Sequence, residues 1–89
     1  MKIVPNEVFL KMIGSNVRRK RIEKDITMES LAFESGIEYR QIGRIERGEV
    51  NTTVMSLYRI SEVLQTDIQE FFDATEGKLT LVHDQEKNI

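Results

Sequence analysis

The 89-residue sequence contains no cysteine and only one histidine. Without cysteine there is no disulfide scaffold, no thiolate zinc site and no cysteine nucleophile. A lone imidazole, His83, does not make the cluster that a metal site or a catalytic triad requires. No phosphate-cradling glycine loop is present, and the carboxylates are scattered, so nothing supports a hydrolase or another enzyme. No run of ~18 apolar residues is available for a membrane span. The N-terminal MKIVPNEVFLKMIG is interrupted by Pro5, Asn6, Glu7 and Lys11, which a secretory signal would not tolerate. The expectation is a cytoplasmic, non-catalytic protein without metal or cofactor.

What is present suits one globular domain. The hydrophobic share is 39% and the charged share 31%, and a second core would need roughly another hundred residues. The net charge of −2 argues against nucleic acid on the usual test, because such binders tend to be basic. The charge is divided, however. Residues 1–48 hold ten Lys or Arg against seven Asp or Glu, whereas residues 49–89 hold three against eight. A basic half and an acidic half are therefore expected to face different partners.

Helical periodicity runs from about Asn6 to Lys24, with Phe9, Ile13 and Val17 on one apolar face and Arg18, Arg19, Lys20 and Arg21 opposite. Pro5 or Asn6 starts this helix, and Asp25 ends it in a left-handed conformation that Asp tolerates. Thr27 is an N-cap for a second helix over Met28 to Ser35, which Gly36 stops. Ile37 is the buried corner residue. A third helix runs from about Tyr39 to Arg47, with Ile42 and Ile45 inward, Tyr39, Arg40, Gly43, Arg44 and Arg47 outward, and Gly48 closing it. After the polar Asn51 and Thr52, Thr53 caps a fourth helix with the stripe Val54, Leu57, Ile60 and Leu64. Asp67 and Glu70 are spaced as in a capping box ahead of a short fifth helix bearing Phe71 and Phe72. The expected fold is all-α: a compact five-helix domain over residues 1–72, then a polar tail over 73–89. Within the tail, KLTLVH at 78–83 has two readings, a frayed segment or a short strand pairing with its twin.

Helix, cap, short helix, glycine turn, short helix is the helix-turn-helix plan. Ala32 is small enough for the third helix to cross the second closely. The runs ITMESLAFESGI, IGRIERG and the later IQEFF, all within Ile13 to Phe72, resemble the lambda-repressor-like, Cro-type helix-turn-helix family, also called the XRE family. The resemblance implies that the third helix enters the DNA major groove and reads bases with Tyr39, Arg40, Gly43 and Arg44. Phosphate contacts are expected from Thr27, Arg21, Gln41, Asn51, Thr52 and Thr53, the threonines serving first as caps. Arg21 and Glu46 match a structural ion pair between the first and third helices. Two positions depart from the family pattern: Met28 stands where glutamine is usual, and Glu38 where serine or threonine is usual.

One such module reads only a few base pairs, so a homodimer on a palindromic operator is expected, with Val63, Ile68, Phe71 and Phe72 at its interface. The protein is then a sequence-specific, double-stranded DNA-binding transcriptional regulator acting by occupancy. At this length no sensor domain is expected beside the reading domain. Two other readings stand beside this one. An antitoxin would bind a toxin through its acidic half, and a protein-interaction module would have lost DNA binding.

Overall fold

The computed structural model describes residues 5–74 and contains helices α1 (Asn6–Glu23), α2 (Met28–Ser35), α3 (Tyr39–Glu46) and α4 (Val54–Leu64), followed by a 3-10 helix (Ile68–Phe72). No strand occurs among the described residues, and the KLTLVH run at 78–83 lies outside them. The fold is all-helical, and the short fifth helix is of the 3-10 kind.

Local chemistry sets most boundaries. Thr27 and Thr53 have extended backbone, and each hydroxyl oxygen accepts from the amide three residues on, Ser30 or Ser56, at 3.0 Å. Asp25 takes φ 58° and turns the chain out of α1. Its N–H donates to the Ile22 carbonyl at 3.0 Å, and the Ile26 N–H donates to Arg21 at 3.1 Å. Gly36 ends α2 at φ 73°, a region that costs a residue with a Cβ ~1 kcal/mol or more. Ile37 follows it into the core.

The fifth element is a 3-10 helix rather than an α-helix. No side-chain cap forms at Asp67. Glu70, expected to reach back to Asp67, also accepts from Lys20 of α1 at 2.6 Å. Its carboxyl is held below the ordinary range, chiefly by that hydrogen bond, and the Lys20 ammonium is raised for the same reason.

α1 packs on α3 and the 3-10 helix, while α2 packs on α3 and α4. Met12, Ile13, Val17, Leu31, Ile37, Ile42, Ile45, Leu57, Ile60, Leu64 and Phe71 form the core. The core stripe of α1 begins at Met12. Phe9, expected on it, is 39% exposed and stands against Phe72 with ring centroids 6.4 Å apart. Ala32 packs against the core, and a further close approach lies at Gly14. A Cβ on Gly14 would run into the Ile45 and Glu46 carbonyl oxygens of α3, so α1 and α3 close only with glycine there.

Asn16 is fully buried and fastens the end of the 3-10 helix. Its Nδ2 donates to the Phe71 and Asp73 carbonyls, each at 2.9 Å, and its Oδ1 accepts from Arg19 at 3.2 Å. Asn16→Leu keeps similar volume but removes the amide that donates to those carbonyls. We expect a loss of about 2–3 kcal/mol, seen as a lower urea midpoint at unchanged m-value. A loss under about 0.5 kcal/mol would show that water replaces the amide.

Candidate nucleic-acid interface

α3 turns its apolar side inward through Ile42 and Ile45, and this rotation decides what its outer side offers. Arg40, Arg44 and Arg47, spaced four and then three residues apart, make one exposed stripe. Among the described residues, Arg40 and Arg44 have no hydrogen-bond or ion-pair partner. They bound a shallow concavity with Ile37, Glu38 and Gln41. Tyr39 is 52% exposed beside them, and Gln41 is half-buried at the margin. Glu38 precedes α3 without a side-chain cap hydrogen bond.

Gly43 does not belong with the base-reading positions. It is buried, and a Cβ there would lie 2.9 Å from Arg47 Nη1 and 3.3 Å from the Met28 methyl. The helix rotation aims it at α2, and its missing side chain is the space the Arg47 guanidinium occupies. Arg47 was legible as an outward residue, and its spacing from Arg40 and Arg44 was the signal that it completes their stripe.

Arg21 is structural, and the phosphate role expected for it is not supported. Its Nε and Nη2 donate to the two Glu46 carboxylate oxygens at 2.7 and 3.1 Å, and its Nη1 donates to the Ile26 carbonyl at 2.9 Å. The two side chains are 11% and 4% exposed. The hydrogen bond to Glu46 raises the Arg21 guanidinium above its ordinary value, against the opposing effect of burial. The pair bridges α1 to α3, and Arg21 also ties α1 to the turn that leads into α2.

The basic run on α1 is mostly engaged in the same way. Arg19 pairs with Glu23 at 3.2 Å and Lys20 with Glu70 at 2.6 Å. Arg18 is the member with no such partner among the described residues. It faces a cleft whose other walls are Met28, Gly43 and Arg47.

The expected phosphate ligands fall in two places. Thr27 is exposed at the start of α2, its oxygen accepting the Ser30 amide. Asn51 and Thr52 line a groove with Phe9, Leu10 and Phe72, and the Thr53 hydroxyl donates to Ser56 at 3.0 Å. Of the expected interface residues, Phe71 is wholly buried and serves the monomer core, so a second copy cannot touch it. Val63 and Ile68 are half-buried against that core, and Phe72 remains 41% exposed. Among the described residues no group of His, Cys, Asp or Glu is placed to hold a metal, and no helix is long and apolar enough to cross a membrane.

Residues 17–71 match the family model described as helix-turn-helix. An uncharacterised HTH-type transcriptional regulator of Sinorhizobium fredii, y4dJ, is 35% identical over 66 residues, covering 74% of this chain and 86% of that protein. The HTH-type transcriptional regulator SlrR of Bacillus subtilis is 38% identical over 64 residues, 71% of this chain but 42% of its own length. The restriction-modification controller protein C.AhdI from Aeromonas hydrophila superposes with a TM-score of 0.69 at 30% identity, over 71% of this chain and 96% of that one.

Proposed function

The chain belongs to the helix-turn-helix (XRE-type) family of DNA-binding transcriptional regulators, and from that premise we propose that it reads a specific palindromic operator in double-stranded DNA as a homodimer. The observation that carries this reading is the pair Arg40 and Arg44, exposed on the second helix of the motif without a hydrogen-bond or ion-pair partner among the described residues. Each guanidinium fork matches guanine O6 and N7 in the major groove. Tyr39 at the N-terminal end of α3 meets a thymine methyl or gives its hydroxyl to a phosphate. Thr27, Gln41, Asn51, Thr52 and Thr53 hold the backbone and fix the register of α3 in the groove. Regulation follows from occupancy of a promoter in the cytoplasm.

The dimer makes up for the short reach of one module. Its contact lies on one part of the exposed apolar surface, that of Phe9, Val54, Tyr58 and Phe72, which are 39%, 70%, 46% and 41% exposed. These side chains lie on α1, α4 and the 3-10 helix, none of them on the reading helix.

Selection of bound fragments from random duplex DNA tests the whole reading. The expected product is a palindrome with half-sites about one helical turn apart, ~10 base pairs centre to centre. Affinity for it falls linearly in log–log with salt, with a slope of about −0.9 for each phosphate contacted. Recovery of no sequence, or a flat salt response, would remove DNA as the ligand. A non-palindromic site would remove the symmetric dimer and leave the base readers standing.

A further inference from the structure

Arg47 ends the α3 stripe, and unlike Arg40 and Arg44 its charge is already engaged. Its Nε and Nη2 donate to the two carboxylate oxygens of Glu49 at 2.9 and 3.2 Å. This two-pronged geometry is how a guanidinium grips either a carboxylate or a phosphate. The backbone fixes Glu49 in that position. The Gly48 N–H donates to the Ile45 carbonyl at 3.0 Å, and the Glu49 N–H donates to the Arg44 carbonyl at 2.9 Å. The chain thus folds back on the end of α3 and brings a carboxylate to the last arginine of the stripe. The remaining nitrogen, Nη1, lies over Gly43 in the cleft that Arg18 also lines.

We propose that Glu49 occupies the phosphate-binding fork of Arg47 in the free protein, and that a DNA backbone phosphate displaces it. Glu49 is then an internal competitor that sets the affinity for duplex DNA. The inference rests on the DNA-binding reading above and adds a phosphate-binding residue and its restraint. Carboxylate and phosphate oxygens are alternative acceptors for the same two donors, so only one of them fits the fork at a time. The pair is 58% and 53% exposed, and pairs of that kind contribute little net stability, so it opens without disturbing the fold. Arg18, across the cleft, supplies a second positive charge to an entering phosphate. The Glu49 carboxyl is held below its ordinary value, first by the hydrogen bond from Arg47, then by the charges of Arg47, Arg44 and Lys11. It is therefore ionised at neutral pH and sits among cations that would otherwise face DNA.

The test compares wild type, Glu49→Gln, Arg47→Ala and the double variant on the selected duplex and on a random-sequence duplex, each across a salt series. Both positions are exposed, and matching unfolding midpoints confirm that the variants fold. Glu49→Gln is expected to tighten binding to both duplexes by roughly three- to tenfold and to steepen the salt slope by about 0.9 per protomer. Arg47→Ala is expected to weaken both. With Arg47 absent, Glu49→Gln should change affinity by no more than about twofold. Two results overturn the inference while wild-type binding stands: no gain from Glu49→Gln, or an equal gain with and without Arg47, which would be a general charge effect. If wild type binds neither duplex, the DNA-binding reading falls and this inference with it.

Discussion

Replacing Arg40 and Arg44 together by alanine is expected to reduce operator binding to the level of random DNA, a loss of about a thousandfold or more, while the unfolding midpoint stays within error. Each bidentate arginine–guanine contact is worth about 1–3 kcal/mol of discrimination. A dimer makes each contact twice, so the double change removes four. Their sum, about 4–12 kcal/mol, matches or exceeds the typical gap of about 4–10 kcal/mol between specific and non-specific binding. Among the described residues neither side chain has a hydrogen-bond or ion-pair partner, so the fold loses no such contact. Lysine does not restore a fork, and Arg44→Lys should recover general attraction to DNA without specificity. Titration of operator and random duplexes at fixed salt separates these outcomes. Operator affinity within about threefold of wild type would refute the assignment of both residues.

Glu46→Ala is expected to have the largest effect on stability, about 3–5 kcal/mol, because it strands the Arg21 guanidinium in a site where that side chain is 11% exposed. For a domain of this size that corresponds to a fall in Tm of roughly 15–30 °C. Domains have only about 5–15 kcal/mol in total, so the variant should be partly unfolded at body temperature. The pair itself is not a large net stabiliser, since two desolvated ions return little more than they lost. Replacing both, as Arg21→Met with Glu46→Leu, should therefore recover most of the loss. A calorimetric double-mutant cycle measures this. Additive losses would mean that each residue acts through contacts other than the pair. The Ile26 carbonyl, which accepts from Arg21 at 2.9 Å, is the one such contact that we expect to leave a residue of the loss.

The two predictions draw on different levels of the molecule. Arg40 and Arg44 were legible because a helix face is a matter of spacing. Once Ile42 and Ile45 go inward, positions 40 and 44 must go outward. The same rule misjudged Gly43, because the margin of a helix face belongs to whatever element packs beside it. Here that element is α2, with Met28, and the guanidinium of Arg47 lies over the gap. The partners of the basic run on α1 lie outside what spacing shows. Spacing places Arg19, Lys20 and Arg21 on the helix surface but is silent about Glu46 and Glu70, which come from α3 and the 3-10 helix to meet two of them.

Phe71 and Phe72 make the contrast sharpest. They are adjacent and chemically identical, yet one is fully buried and the other 41% exposed. Nothing local distinguishes them. The choice is made by Asn16, whose amide grips the Phe71 and Asp73 carbonyls, and by Lys20, which ties the Glu70 carboxylate to α1. Those two contacts fix the orientation of the 3-10 helix about its axis, and so decide which ring faces the core and which meets Phe9 at the surface.

The sequence alone thus determined the number and order of the elements, their ends and the helix-turn-helix plan. The threonine caps at 27 and 53, the left-handed turns at Asp25 and Gly36, and the apolar spacing all act within about four residues, where covalent geometry leaves few alternatives. Tertiary structure decided the close approach at Gly14, the hold of Asn16, the engagement of Lys20 by Glu70, and the carboxylate that meets Arg47. Most of these depend on groups tens of residues apart in the chain. Even the nearest, Glu49 beside Arg47, depends on how the chain folds back past the helix end, which the sequence pattern does not encode.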